Sequence, residues 1–364
     1  MTAYFFILGR NPELSRAEIY SYLEMNSAEF TEILFKENYL VVETNFSKFN
    51  VQDFGGVLKL GKIMFKGNYN DFRKFLQKDE IVPSDKFTWA IYGNFPEAED
   101  LLIDKFKADK KKAMIRRGGK EMTLQDGEVV EVANAEFELF CFFQTELLLG
   151  LVEQDYSYED IKERDMKKPV RRESLAISPR LAKILVNLSQ VKKGETLLDA
   201  FCGVGIILQE ALLKGINVIG VDIDEEAIKG ANENMLWLKK NYKIDSSYQF
   251  ISADSAKTHL NFNGIASETA LGELLKQKVS KEDAEDMILR FENHIIPILR
   301  NLKHQKPKNA KIAITFPFVR EYSVNIEDIC RETGLDVYRL NNVKFPIKEF
   351  RKDQFISREF FVFV

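Results

Sequence analysis

Apolar runs of strand length, separated by polar and charged stretches, divide this chain into two regions of different rhythm. Over residues 1–154 the rhythm is irregular. Ala3–Leu8, Tyr39–Glu43, Thr88–Tyr92, Val129–Val132 and Glu136–Gln144 are rich in β-branched and aromatic residues and predict strands. After the Asn11-Pro12 turn, Ser15 followed three residues later by Glu18 forms a capping box that opens a helix. Val51–Leu60 and Glu97–Lys107 predict two further helices, so this region reads as α+β. The segment Asp155–Glu173 is highly charged, contains Pro169 and predicts a linker. From residue 174 onward, strands and helices alternate regularly. Thr196–Phe201, Asn217–Val221, Tyr248–Ser252, Gly264–Ser267 and Ala310–Phe316 predict strands. Between and after them, Ile206–Leu213, Glu225–Leu238, Lys281–Leu302 and Ile326–Glu332 predict helices. Such βαβ units imply an α/β domain with a mostly parallel sheet. Asp336–Val343 and Glu359–Val364 predict two closing strands with no helix between them, hence an antiparallel pair at the sheet edge.

Composition adds bounds. The 364 residues are 45% hydrophobic and 30% charged, enough for two domains with separate cores. Cys141, Cys202 and Cys330 lie far apart and predict neither disulfides nor a zinc knuckle; His259, His294 and His304 show no metal-ligand spacing. The N-terminus lacks the pattern of a signal peptide and no apolar run reaches the roughly 20 residues of a membrane span, so a cytoplasmic protein without a membrane partner is expected. Net charge is −4, yet residues 105–120 hold eight Lys or Arg against one Asp, and residues 162–172 six against two. Arg116, Arg117 and Lys120, around Gly118-Gly119, and Lys167, Lys168, Arg171 and Arg172 in the linker are candidate contacts to a phosphate backbone. Solvated helix faces explain the same clusters equally well.

The segment Leu197–Gly205 carries the most chemical information. A buried strand ends at Asp199, and a loop holding Gly203 and Gly205 leads into a helix whose first N–H groups face the top of the sheet. The second strand ends in Asp222, about 20 residues on, where a carboxylate can accept ribose hydroxyls. The third ends near Asp254, where an acid can meet an adenine amino group. No third glycine follows Gly205, which disfavours a dinucleotide relative to S-adenosylmethionine.

The phrases ISPRLAKILVNL, LLDAFCGVGIILQEALLKG, NVIGVDID and ANENMLWL, with YFFILGRNPELSRAEI, RDMKKPVRR and REFFVFV, resemble the tRNA guanosine N2-methyltransferases that act on position ten. The resemblance implies a ferredoxin-like piece and a THUMP RNA-binding domain ahead of a Rossmann-like class I methyltransferase domain, with S-adenosylmethionine as cofactor and tRNA as substrate. It makes Asp199, Cys202, Gly203 and Gly205 the cofactor loop, makes Asp222 the ribose ligand and Asp254 the adenine contact, counts Ile223 among the cofactor-binding residues, and lays Pro179 over the cofactor. Asn232 and Asn234 read as helix-surface or packing residues. The sequence carries no signal for or against a partner subunit.

In that family an Asp/Asn-Pro-Pro-Tyr/Phe motif ends the fourth strand and holds the amine to be methylated. Here the strand runs into Glu268-Thr269-Ala270-Leu271-Gly272. Glu268 takes the place of the acid and Thr269 follows, while both prolines and the aromatic ring are absent. Phe316 and Phe318, at the end of the fifth strand, become candidates to stack on the base. Two alternatives stay open: a non-catalytic RNA- and cofactor-binding homologue, and an amino-methyltransferase acting on DNA.

Overall fold

The computed structural model describes residues 1–118, 120–123, 129–132, 135–171, 177–269, 279–350 and 355–364, with 120–123 and 129–132 by backbone. In chain order the first elements are β1 (Thr2–Leu8), α1 (Pro12–Met25), β2 (Phe30–Lys36), β3 (Tyr39–Thr44), β4 (Val57–Gly67), α2 (Tyr69–Lys78), β5 (Lys86–Gly93), α3 (Glu97–Ala108), β6 (Lys112–Ile115), β7 (Lys120–Thr123), β8 (Val129–Val132), β9 (Phe137–Phe143) and β10 (Leu147–Asp155). Then follow α4 (Tyr158–Lys167), α5 (Pro179–Leu188), β11 (Thr196–Asp199), α6 (Ile206–Leu213), β12 (Asn217–Asp222), α7 (Glu225–Asn241), β13 (Tyr248–Ser252), β14 (Gly264–Glu268), α8 (Lys281–Gln305), β15 (Ile312–Val319), α9 (Ile326–Thr333), β16 (Ile347–Glu349) and β17 (Ile356–Phe363). No helix among the described residues is long and apolar enough to cross a membrane.

Contacts divide the chain into two units. Met1–Pro12, Ala28–Gln52 and Val57–Tyr158 form the first; Glu13–Ser27, Asp53–Gly56 and Glu159–Val364 form the second. The first unit is built on a sheet of order β2-β3-β1-β4-β10-β9-β5-β6. Strand alternation explains its layers: on β9, Leu139 and Cys141 enter a core with Phe72 and Leu76 of α2 and Leu102 and Phe106 of α3. Phe140 and Phe142, on the opposite face, pack with Phe5, Val41 and Leu148. The helix expected over Val51–Leu60 is not formed; a short turn ends at Asp53 and β4 begins at Val57. Gly55-Gly56 interrupts any helix there, and β4 gains ladder partners on both sides.

Two pieces of the N-terminal region, Glu13–Ser27 and Asp53–Gly56, thus group with the second unit, although the sequence pattern runs them together with their neighbours. The reason is a buried carboxylate. Glu18 is fully buried and accepts hydrogen bonds from the Gly55 and Gly56 N–H groups at 2.7 and 2.8 Å and from Asn187 of α5 at 2.6 Å. Burial pushes the Glu18 carboxyl above its usual range, and a carboxyl taken out of water needs such partners. The expected linker also carries structure: α4 spans most of it, and its Arg164 reaches Glu210 of α6 at 3.2 Å.

The second unit's sheet has the order β13-β12-β11-β14-β15-β17-β16. β13, β12, β11, β14 and β15 are parallel, and β17 runs antiparallel between β15 and β16. The strand order reverses between β11 and β14, which opens a crevice at the carboxyl ends of the strands. This is the doubly wound arrangement the alternation predicts, antiparallel final strand included. Asp336–Val343 is not the expected strand. It makes isolated bridges, Val337 with Phe363 and Leu340 with Val343, and the ladder position beside β17 goes to β16.

Candidate active site

Three acids converge on the crevice. Asp199 ends β11 almost fully buried; its carboxylate accepts the Phe201 N–H at 3.1 Å and a hydrogen bond from Ser267. Burial pushes its carboxyl up to about 8, and the neighbouring charges of Asp222 and Glu268 push in the same direction. Asp222 ends β12, and its two oxygens accept the Gly203 N–H at 2.7 Å and the Asp224 N–H at 2.9 Å. The acid of the second strand therefore ties down the glycine loop of the first. Gly203 has φ +49° and Gly205 φ +86°, and a Cβ on Gly205 would come within 2.8 Å of Met235 Cε. The positive φ keeps position 205 for glycine, since the flexible end of Met235 could move aside. A Cβ on Gly203 would meet nothing within 4 Å, so space is open above the loop.

Ile223, just after Asp222, is 77% exposed, an apolar side chain standing clear at a strand end. Asp254 accepts the Ala256 N–H at 2.9 Å and pairs with Lys257 at 3.2 Å, and the backbone hydrogen bond first of all holds its carboxyl below the usual range. Pro179 is the buried first residue of α5, capped by Ser178, whose hydroxyl accepts the Leu181 N–H. Cys202 is buried, and desolvation raises its thiol. It is no reactive nucleophile.

Asn234 proves to be more than filler. Fully buried on α7, its side chain accepts the Val170 N–H at 2.9 Å and donates to the carbonyls of Val170 at 3.0 Å and Val204 at 2.9 Å. It locks the junction to the glycine loop. Asn234→Ala strands these backbone groups and is expected to cost about 2–4 kcal/mol. Thermal unfolding of the variant against the wild type checks this; an unchanged midpoint would show that water replaces the amide.

At the end of β14, Glu268 is met by Arg358 of β17, whose Nε donates to its Oε1 at 2.5 Å. The two side chains are 12% and 2% exposed. Thr269 is buried, and its hydroxyl donates to the Thr315 carbonyl at 2.7 Å, fixing the backbone just past the strand. Ala270, Leu271 and Gly272 lie outside the described residues. Arg358 escaped the sequence reading, although a signal existed: arginine and glutamate interrupt the apolar strand ISREFFVF.

Several expected contacts fall elsewhere. Phe316 is wholly buried, its ring packed on Phe291, Phe361 and Phe363, so no face is left for a base. Phe318 is 8% exposed, with the Lys348 ammonium 3.9 Å from its ring centroid. Lys168 is buried and paired with Asp165 at 2.6 Å, which removes it as a phosphate contact. Lys167 is exposed but paired with Glu163 at 2.6 Å, and Arg117 with Glu99, its Nε at 3.0 Å. Arg116 and Arg171 are exposed. Arg172 and the side chain of Lys120 lie outside the described residues.

A doubly wound sheet with an acid-terminated glycine loop at its switch point, and a second acid facing it from the fourth parallel strand, defines a Rossmann-like methyltransferase domain. Residues 169–295 match the UPF0020 family, described as an RMKL-like methyltransferase domain. The tRNA (guanine(10)-N2)-dimethyltransferase of Methanothermobacter thermautotrophicus is 42% identical over 86 residues, 24% of each chain. That match spans about a quarter of the relative's length. The enzyme of the same name from Pyrococcus abyssi is 25% identical over 272 residues, 74% of this chain and 78% of its own. Among solved structures, TrmN from Thermus thermophilus aligns over 99% of both chains with a TM-score of 0.51 and 13% identity, a likeness of fold.

Proposed function

We propose that this protein transfers a methyl group from S-adenosylmethionine to the exocyclic N2 of a guanosine in tRNA, at position ten. The observation that carries the reading is Glu268, held at the end of β14 beside the strand that ends in Asp199, where the neighbouring Ser267 hydroxyl accepts the Ala200 N–H at 2.9 Å. The relatives named for guanine(10)-N2 methylation supply the substrate.

The residues present fit the cofactor. Open space lies over Gly203, exposed Ile223 offers an apolar face for an adenine, and Asp222 retains lone pairs for ribose hydroxyls. When bound, the cofactor supplies a methyl group on a sulfonium, so no metal is required. The chain's own residues prepare the amine. The lone pair of a guanine 2-amino group is delocalised into the ring. Glu268 accepts one amino hydrogen and the Thr269 carbonyl the other, which localises the lone pair and aims it. The proton that must leave the methylated nitrogen passes to the Glu268 carboxylate. The Thr269–Thr315 bond gives this strand end some of the backbone rigidity that a Pro-Pro pair would otherwise provide. Arg116 and Arg171 are assigned to RNA phosphates, with the first unit as the THUMP-type RNA-binding region and the cytoplasm as the place of action.

The test is transfer of label from methyl-labelled S-adenosylmethionine to unmodified tRNA, followed by nucleoside analysis. Labelled N2-methylated guanosine is expected; cofactor binding without transfer to any tRNA would leave a binding protein. Asp222→Ala should weaken cofactor affinity by about 10–100-fold, through lost hydrogen bonds to a charged acceptor worth about 1.5–3 kcal/mol each. Unchanged affinity in calorimetry would move the site elsewhere.

A further inference from the structure

The glutamate assigned to the amine does not stand alone. Along β17 the side chains alternate: Ser357, Glu359, Phe361 and Phe363 share one face, and Ile356, Arg358, Phe360 and Val362 share the other. Phe361 and Phe363 place the first face in a core cluster with Ile314, Phe316 and Ile329. Arg358 lies opposite Pro317 of β15, and Glu268 is paired in register with Thr315 of the same strand. The arginine side chain therefore reaches across β15 to close its ion pair. On its other side, buried Glu349 of β16 is the register partner of Arg358.

We propose that Arg358 is a positioning residue for methyl transfer, holding the Glu268 carboxylate by one oxygen so that the other is presented to the amine. This rests on the reading of Glu268 given above and deepens it. Three arguments support the role. First, a guanidinium is planar and keeps its charge, so it fixes an acceptor in direction as well as in place. Second, Arg358 is anchored in a paired strand and is 2% exposed, so its side chain has little freedom of its own. Third, the loop after Glu268 has no proline to set its course, so the carboxylate needs its orientation from another element. An antiparallel strand threaded between β15 and β16 can supply it.

The experiment uses the full chain, methyl-labelled S-adenosylmethionine and unmodified tRNA, with Arg358→Met, Arg358→Lys, Glu268→Gln and the Glu268→Gln/Arg358→Met double variant. Arg358→Met should lower kcat by about 30-fold or more, while KM for tRNA and Kd for the cofactor stay within about twofold, as for an interaction used only in the transition state. Arg358→Lys should recover kcat only in part, because it restores a charged donor but not the planar group that sets the direction of the carboxylate. In the Glu268→Gln background, Arg358→Met should cost nothing further, since the two residues act as one unit. An unchanged kcat in Arg358→Met, or an equal loss with and without Glu268, would overturn the proposal while leaving the function standing. A wild type that transfers no label, or a fully active Glu268→Gln, would instead overturn the reading of Glu268 itself. If Arg358→Met loses cofactor binding, Arg358→Gln carries the same comparison with a polar side chain in place.

Discussion

Glu268→Gln is expected to lower kcat for methyl transfer by about 100-fold or more, the usual range for losing a proton-accepting side chain, with cofactor affinity unchanged. The amide is nearly isosteric and still offers Arg358 an oxygen, but it carries no charge and takes up no proton. Glu268→Ala is a poorer test, and the structure says why. It would leave the 2%-exposed Arg358 guanidinium without the partner that neutralises it. Removing one member of a buried ion pair costs about 3–5 kcal/mol. An inactive alanine variant would therefore report folding as much as catalysis. Comparing kcat in Glu268→Gln with the melting temperatures of both variants separates the two effects. Full activity in Glu268→Gln would remove the residue from the mechanism.

The second large effect concerns pH. Cofactor affinity should rise by up to about 100-fold between pH 6 and pH 8 and then level off. Asp199 holds its proton up to about 8 in the ligand-free protein, chiefly because it is buried and further because Asp222 and Glu268 lie nearby. S-adenosylmethionine brings positive charge, which favours the ionised carboxylate. Binding below pH 8 must therefore expel a proton, and each pH unit below the ligand-free pKa costs about a factor of 10. The ligand-free protein should show the opposite trend in stability. The folded state keeps a proton that the unfolded chain has released above about pH 4, so stability falls as pH rises from about 4 to 8. Calorimetry in two buffers of different ionisation enthalpy reads the released proton directly. Asp199→Asn should abolish both trends. Affinity that stays flat with pH in the wild type would place the cationic part of the cofactor away from Asp199.

The acid–glycine half of the candidate site was legible because its geometry is local. Asp199, Gly203 and Gly205 lie within one strand–loop–helix step, and Asp222 ends the next strand, so both motif spacing and resemblance locate them. Regular strand–helix alternation likewise gave the doubly wound sheet, since period and element length are properties of short segments. Legibility failed where residues far apart in sequence meet. Phe316 reads as an available aromatic at a strand end, but three rings from α8 and β17 close over it. Lys168 reads as one more linker cation, but Asp165 draws it in.

What the sequence determined by itself is therefore the class of domain and the acid–glycine cradle at its switch point. Tertiary structure alone decided three things: that α1 and the Gly55-Gly56 turn group with the methyltransferase unit around Glu18, that Asn234 fastens the junction to the glycine loop, and that Arg358 grips Glu268. The physical reason is shared by all three. Each is a buried polar group whose energy depends on partners supplied by other elements, and such partners leave no periodic trace in the chain.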